Sequence, residues 1–279
     1  MSPTRSILLL AVLFTLQASA QLAPLPSASV MDSLIRVMQR GADDSTRLTI
    51  NRSFQNIVFQ FLKNDSALDQ CPVFAPNIAC LKSPDGTWRM LTWTVPAFDG
   101  NQYYYFGFLQ KRAIKGNNNL IFTLNDSTTS IKKPESDKLS PEKWLGATYY
   151  DVVLRKKKRK VLYTLCGWKG KDQRMTQKVL EVLSFDGDKP KFGYAIFKKG
   201  KVYRSRVIFS YTAQASMSLR YEESKRMIVF DHLSGPINNT GVTDPSSQGP
   251  DGSYDAYRYR SGSWQWVGDI KIKLQPSKR

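Results

Sequence analysis

A chain of 279 residues with 41% hydrophobic side chains can build a substantial core, which excludes a globally disordered protein. Lys and Arg outnumber Asp and Glu by 41 to 23, giving a net charge of +18. The excess is lopsided: residues 1–150 carry 15 basic against 11 acidic side chains (+4), and residues 151–279 carry 26 against 12 (+14). A basic half of this kind suits an anionic partner such as acidic polysaccharide, lipopolysaccharide phosphates or extracellular nucleic acid, and it serves solubility equally well.

Residues 1–20 have the order of a cleavable secretory signal peptide. Arg5 supplies the positive start, Ile7 to Leu16 form an apolar run broken by Thr15, and Ala18-Ser19-Ala20 place small residues at −3 and −1. A spanning helix needs roughly 20 apolar residues, about twice this run, so cleavage after Ala20 is expected rather than an N-terminal anchor. No later stretch has the apolar length of a transmembrane segment. The expectation is an exported protein, periplasmic or secreted, with no cytoplasmic cofactor such as ATP and no metal.

Residues 21–64 read as an N-terminal tail followed by a helical segment. Residues 21–28 are rich in Pro and Ser, and Val30, Leu34, Ile35 and Met38 then recur at helical spacing, with Asp32 near the start and Gly41 after the end. Phe54, Ile57, Val58, Phe61 and Leu62 suit one face of a second helix, although their β-branched and aromatic content leaves a strand open. Cys71 and Cys80 are candidates for a disulfide across a short loop containing Pro72 and Pro76, with Cys166 left as a buried thiol in a strand.

Residues 65–279 are expected to be all β. Ser83-Pro84-Asp85-Gly86 is a turn by its chemistry, since Pro fixes φ and Gly tolerates the left-handed conformation. It precedes the strand candidate Trp88 to Val95, and Asp99-Gly100 separates that run from Tyr103 to Phe108. Further candidates follow at 119–124, 147–154, 161–168, 178–185, 192–197, 203–211, 216–221, 226–231, 253–260 and 264–273. Short strands with turn residues every 8 to 15 positions argue for an antiparallel meander forming a sandwich or a propeller-like sheet domain, and against βαβ units. A second P-D-G at Pro250-Asp251-Gly252 is too little to establish a repeat. Segments 125–145 and 234–252 are long, loop-like connections.

The sole histidine, His232, would have to serve any His-based general base; no G-x-S-x-G, H-E-x-x-H or C-x-x-C spacing occurs, and the Gly167-Trp168-Lys169-Gly170-Lys171 run matches a phosphate-binding loop only loosely. Glu222, Glu223, Asp231, Asp251 and Asp255 could serve two-carboxylate hydrolysis if two of them converge. Asp186-Gly187-Asp188 reads as a tight turn. Arg155-Lys156-Lys157-Lys158-Arg159-Lys160 is a run of six cations between strand candidates, either a solvated hairpin tip or an electrostatic finger for an anionic polymer. Trp264 and Trp266 share one face of a strand, as a platform for sugars or as core. Asparagine sequons at Asn51, Asn64, Asn125 and Asn238 matter only in a host that glycosylates them.

Several runs together carry a resemblance: Trp144 to Tyr150, Tyr163 to Trp168, Met217 to Tyr221, Ile228 to Leu233 and Gly249 to Asp255. Across roughly residues 50–275 the chain resembles an uncharacterised family of exported proteins from Bacteroidota. The resemblance implies a periplasmic or secreted bacterial protein and brings no activity or catalytic residue with it. In such a host Asp32-Ser33-Leu34, Asp65-Ser66-Ala67 and Asp126-Ser127-Thr128 look like short O-glycosylation sites. The leading expectation is a non-enzymatic envelope or surface binding domain for an anionic glycan or polymer, with residues 155–160, Trp264 and Trp266 as its contacts. The alternative is a carboxylate-dependent hydrolase acting on glycan or peptide.

Overall fold

The computed structural model describes residues 27–63, 68, 71, 78–116, 118–237, 241 and 243–271. The signal-like segment 1–20, the tail to residue 26, Asn64, residues 65–67, Pro72, Pro76 and Asn238 lie outside the described residues.

The first helix, α1 (Ala28–Arg40), buries Met31, Ile35 and Met38, close to the apolar face expected from the spacing. The second, α2 (Asp44–Leu62), starts ten residues before the apolar stripe that announced it. Its first half turns polar side chains inward. Arg47 donates to the Gly41 and Pro96 carbonyls at 2.9 Å each, and Asn51 accepts the Trp93 indole N–H at 2.7 Å. A buried face satisfied by hydrogen bonds has no hydrophobic period to detect. Asp43 caps this helix by accepting the Thr46 N–H, and that contact holds its carboxyl below the ordinary range.

The strands follow in chain order: β1 (Ile78–Lys82), β2 (Trp88–Pro96), β3 (Tyr103–Arg112), β4 (Asn119–Asn125), β5 (Thr148–Lys157), β6 (Lys160–Gly170), β7 (Met175–Asp186), β8 (Lys189–Phe192), β9 (Phe197–Lys199), β10 (Val202–Arg204), β11 (Val207–Thr212), β12 (Leu219–Glu222), β13 (Met227–Ser234), β14 (Gly249–Arg260) and β15 (Ser263–Val267). They form three sheets. Sheet 1 is β1-β2-β3-β4; sheet 2 is β11-β7-β6-β5 with β8 beside β7; sheet 3 is β10-β9-β15-β14-β13-β12. All pairs are antiparallel except β9 with β15. Of the two expected forms, the sandwich is the one found.

The layers stack in the order helices, sheet 1, sheet 2, sheet 3. Alternation along β2 sets the first two contacts: Leu91, Trp93 and Val95 face Phe54 and Val58 of α2, while Trp88 and Met90 face Tyr163 and Leu165 of sheet 2. Sheet 2 is likewise buried on both faces, with Leu162, Cys166, Leu180 and Val182 meeting Ile228, Phe230, Tyr257 and Trp264 of sheet 3. The helices therefore cover sheet 1 and belong to the same packed unit as the strands. Among the described residues, no helix is long and apolar enough to cross a membrane.

Two strand expectations are corrected. Residues 192–197 and 203–211 are each interrupted, the first by Gly193 at φ +89° and the second by Ser205 and Arg206, whose N–H groups both go to the Glu135 carbonyl. Arg206 then turns into the core, where it pairs with Glu181, neither side chain having any exposed surface. The second P-D-G makes no hairpin either. It lies inside β14, where Asp251–Ser253 are extra residues opposite the single His232 of β13, and Gly252 takes the φ of +90° that such a bulge requires. Cys71 and Cys80 form a disulfide with a Cα–Cα distance of 5.8 Å, and Cys166 is a buried free thiol.

Candidate functional site

The space between sheets 1 and 2 opens at both ends, and each opening is a cleft. At the first, of about 760 Å³, the tip of the β5–β6 hairpin stands opposite the end of β3. Tyr163 and Phe185 line it between Lys111 and Arg112 on one side and Arg159 and Lys160 on the other, with Asp85 and Asp186 as the acidic members.

The two turns singled out by their chemistry build its walls. In Ser83-Pro84-Asp85-Gly86 the Gly86 N–H closes onto the Ser83 carbonyl at 3.0 Å, and Gly86 sits at φ +68°. Asp85 thereby meets the Tyr163 hydroxyl, which donates to it at 2.6 Å. Burial acts to raise the Asp85 carboxyl, but hydrogen bonds from Tyr163, Ser83 and Thr87 outweigh it and leave it below its ordinary range; burial and that same carboxylate push Tyr163 up to about 12. In Asp186-Gly187-Asp188, Asp188 reaches across to the Lys111 ammonium at 2.6 Å and accepts the Ile114 N–H at 3.1 Å. Lys111 is thus a strut of the wall, and the exposed cation of the facing hairpin is Arg159.

The six-cation run divides between two environments. Lys156, Lys158 and Arg159 are exposed at the tip, Lys158 at φ +53°. Arg155 is instead drawn inward: its guanidinium lies 5.1 Å from the Tyr221 ring, 5.4 Å from Trp264 and 5.8 Å from Tyr259, and it donates to the Tyr221 hydroxyl. The Lys157 and Lys160 ammonium groups both lie over the Tyr194 ring, at 5.7 and 5.3 Å. Of the six cations, three therefore point outward at the tip and three are packed against aromatics.

Trp264 is also corrected as a sugar platform. It has no exposed surface and donates its indole N–H to Thr164 at 2.8 Å, joining sheets 2 and 3. Trp266 remains part-exposed beneath the Lys199 ammonium, 4.2 Å from the ring centroid.

The second cleft, of about 580 Å³, lies at the other end of the same two sheets. Tyr103, Tyr105, Ile131, Leu145 and Ile208 supply its apolar lining, and Asn101, Gln102, Thr128, Gln177, Lys171 and Asp172 its polar rim. Lys169 enters from the inward face of β6, continuing the row of Tyr163, Leu165 and Gly167. Its ammonium donates to the Thr128 hydroxyl at 2.8 Å and the Gly146 carbonyl at 2.6 Å, and lies 4.3 Å from the centre of the Tyr105 ring. Burial lowers it from 10.5 to about 8, against the pull of Asp126 in the other direction. A smaller cleft of about 230 Å³ shares Tyr103, Gly170 and Asp172 with it and adds Trp168, Lys178 and Tyr211.

Sequence reasoning missed this second opening. The signal available was a lysine on the buried face of a strand, flanked by glycines at 167 and 170, within the run that matches a phosphate-binding loop only loosely.

Four of the five carboxylates considered for hydrolysis are spent on structure, and Glu223 is exposed in the turn between β12 and β13. Asp231 accepts the Ser218 N–H, Asp251 accepts from Ser253, and Glu222 accepts from Ser224 and lies 3.8 Å from Arg220. Asp255 takes the Asp269 N–H and holds the His232 Nδ1 at 2.9 Å. None of these residues lines the three clefts described. Among the described residues no group of three or more His, Cys, Asp or Glu is placed to hold a metal. Comparison with known proteins returns no matching family model, curated protein or solved structure.

Proposed function

We propose that this is an exported, non-enzymatic binding protein whose ligand is an anionic polymer of the cell envelope, an acidic polysaccharide or lipopolysaccharide, held at the cleft beside the β5–β6 hairpin. One observation carries the reading: Arg159, an exposed cation of the hairpin tip, lines this cleft above a floor that includes Tyr163 and Phe185, and the exposed Lys156 and Lys158 belong to the same tip. A polyanion laid there meets the exposed cations of the tip, and the +14 carried by residues 151–279 adds a long-range attraction. Export is supported by the order of charge, apolar run and small residues at 5–20. The Cys71–Cys80 disulfide suits an oxidising compartment, and the resemblance to exported proteins of Bacteroidota points the same way.

The test uses Lys156, Lys158 and Arg159 alone, since the other three cations of the run support packing. On immobilised heparin the wild-type chain is expected to elute later in a salt gradient than Lys156→Ser/Lys158→Ser/Arg159→Ser. The slope of log affinity against log salt should become shallower by roughly one for each cation that no longer pairs with the polymer. Equal retention of the two proteins contradicts the proposal.

A further inference from the structure

The second cleft has a different chemistry from the first, and we infer that it is a binding site for a neutral pyranose sugar, an assignment that goes beyond the polyanion reading. Three features lead there. The lining charges balance, with Lys169 and Lys171 against Asp126 and Asp172, so no net charge selects an ion. The Lys169 ammonium is already held by two oxygens and a ring face, and so does not call for an anionic ligand.

The third feature is the wall. Tyr103 and Trp168 meet edge to face with centroids 5.3 Å apart, both part-exposed, at the junction of the second and smaller clefts. Gly170 makes that junction possible, since a Cβ there would stand 2.6 Å from both the Trp168 and Tyr103 rings. Aromatic faces bordered by the amides of Asn101, Gln102 and Gln177 match a ligand with an apolar C–H face and a rim of hydroxyls. At about 580 Å³ the cleft falls within the ~300–1,000 Å³ typical of small-ligand sites.

Calorimetric titration of the full chain with three neutral disaccharides (cellobiose, maltose and N,N′-diacetylchitobiose) tests the assignment. Saturable binding of at least one is expected, insensitive to salt, and weakened roughly tenfold in Tyr103→Ala. Gln177→Ala removes a rim amide whose nitrogen also donates to the Ser210 hydroxyl at 2.8 Å, and should weaken binding several-fold in a chain that still unfolds in one cooperative transition. Glucuronate serves as the charged control. No saturation with any of the three, binding of glucuronate alone in a salt-dependent manner, or unchanged affinity in both variants overturns the inference. Lys156→Ser/Lys158→Ser/Arg159→Ser should bind the disaccharide like wild type, so failure of the polyanion reading leaves this result standing, and the converse.

Discussion

At the scale of single residues, the most informative side chains are those whose type and place disagree. Lys169 sits on the inward face of a central strand with its charge met by Thr128, Gly146 and the Tyr105 ring. Its lowered value fixes a pH signature. Between about pH 8 and 10.5 the unfolded chain keeps this proton while the folded protein has released it, so stability contributed through Lys169 rises with pH across that window. Urea unfolding of wild type and Lys169→Met at pH values spanning the window should show the difference between them growing in favour of wild type, toward about 3 kcal/mol at its upper end. A flat difference would place an ordinary, solvated lysine there. Trp264 makes the opposite case, a residue whose pattern left two readings open. Its burial against Thr164 and Tyr221 makes it core, and Trp264→Ala should cost about 3–5 kcal/mol in denaturant midpoint analysis. A change below about 1 kcal/mol would return it to the surface.

At the scale of elements, the sequence was most legible where local chemistry and apolar period agree. The P-D-G turn at 84–86, the D-G-D turn at 186–188 and the aromatic strands on either side of residues 155–160 are all where their residues put them. The start of α2 was illegible because its buried face is made of Arg47 and Asn51, whose partners Gly41, Pro96 and Trp93 are known only from the fold. The breaks at Gly193 and at Ser205–Arg206 were hidden for a similar reason, since the acceptor for the Ser205 and Arg206 N–H groups, Glu135, lies in a distant loop. The disulfide closes a short segment between the helices and sheet 1, with a sequence separation of 9. Removing it by Cys71→Ser/Cys80→Ser should cost roughly 2–3 kcal/mol. Thiol titration should find Cys166 unreactive in the native protein and as the single reactive thiol after denaturation without reductant. Three reactive thiols under those conditions would show that the bridge is absent.

At the scale of the whole molecule, composition anticipated a polarised charge but could not say where it would gather. The fold answers by bringing the β5–β6 tip beside the end of β3, so that cations far apart in the chain face one cleft, while half of the six-residue run is withdrawn against aromatic rings. Stacking the helices and three sheets also leaves the sheet 1–sheet 2 layer open at two ends of unlike chemistry, one basic, the other aromatic and charge-balanced. Net charge alone would attract a polyanion to any face of so basic a protein, so the decisive comparison holds it constant. Lys156→Ser/Lys158→Ser/Arg159→Ser should be measured against Lys132→Ser/Lys201→Ser/Lys225→Ser, three exposed lysines elsewhere on the surface, by equilibrium binding to a heparin oligosaccharide over a range of salt. The account predicts that the hairpin variant binds far more weakly and with a flatter salt dependence while the control stays close to wild type; equal weakening of the two would show that the attraction is diffuse and contradict a site at the cleft.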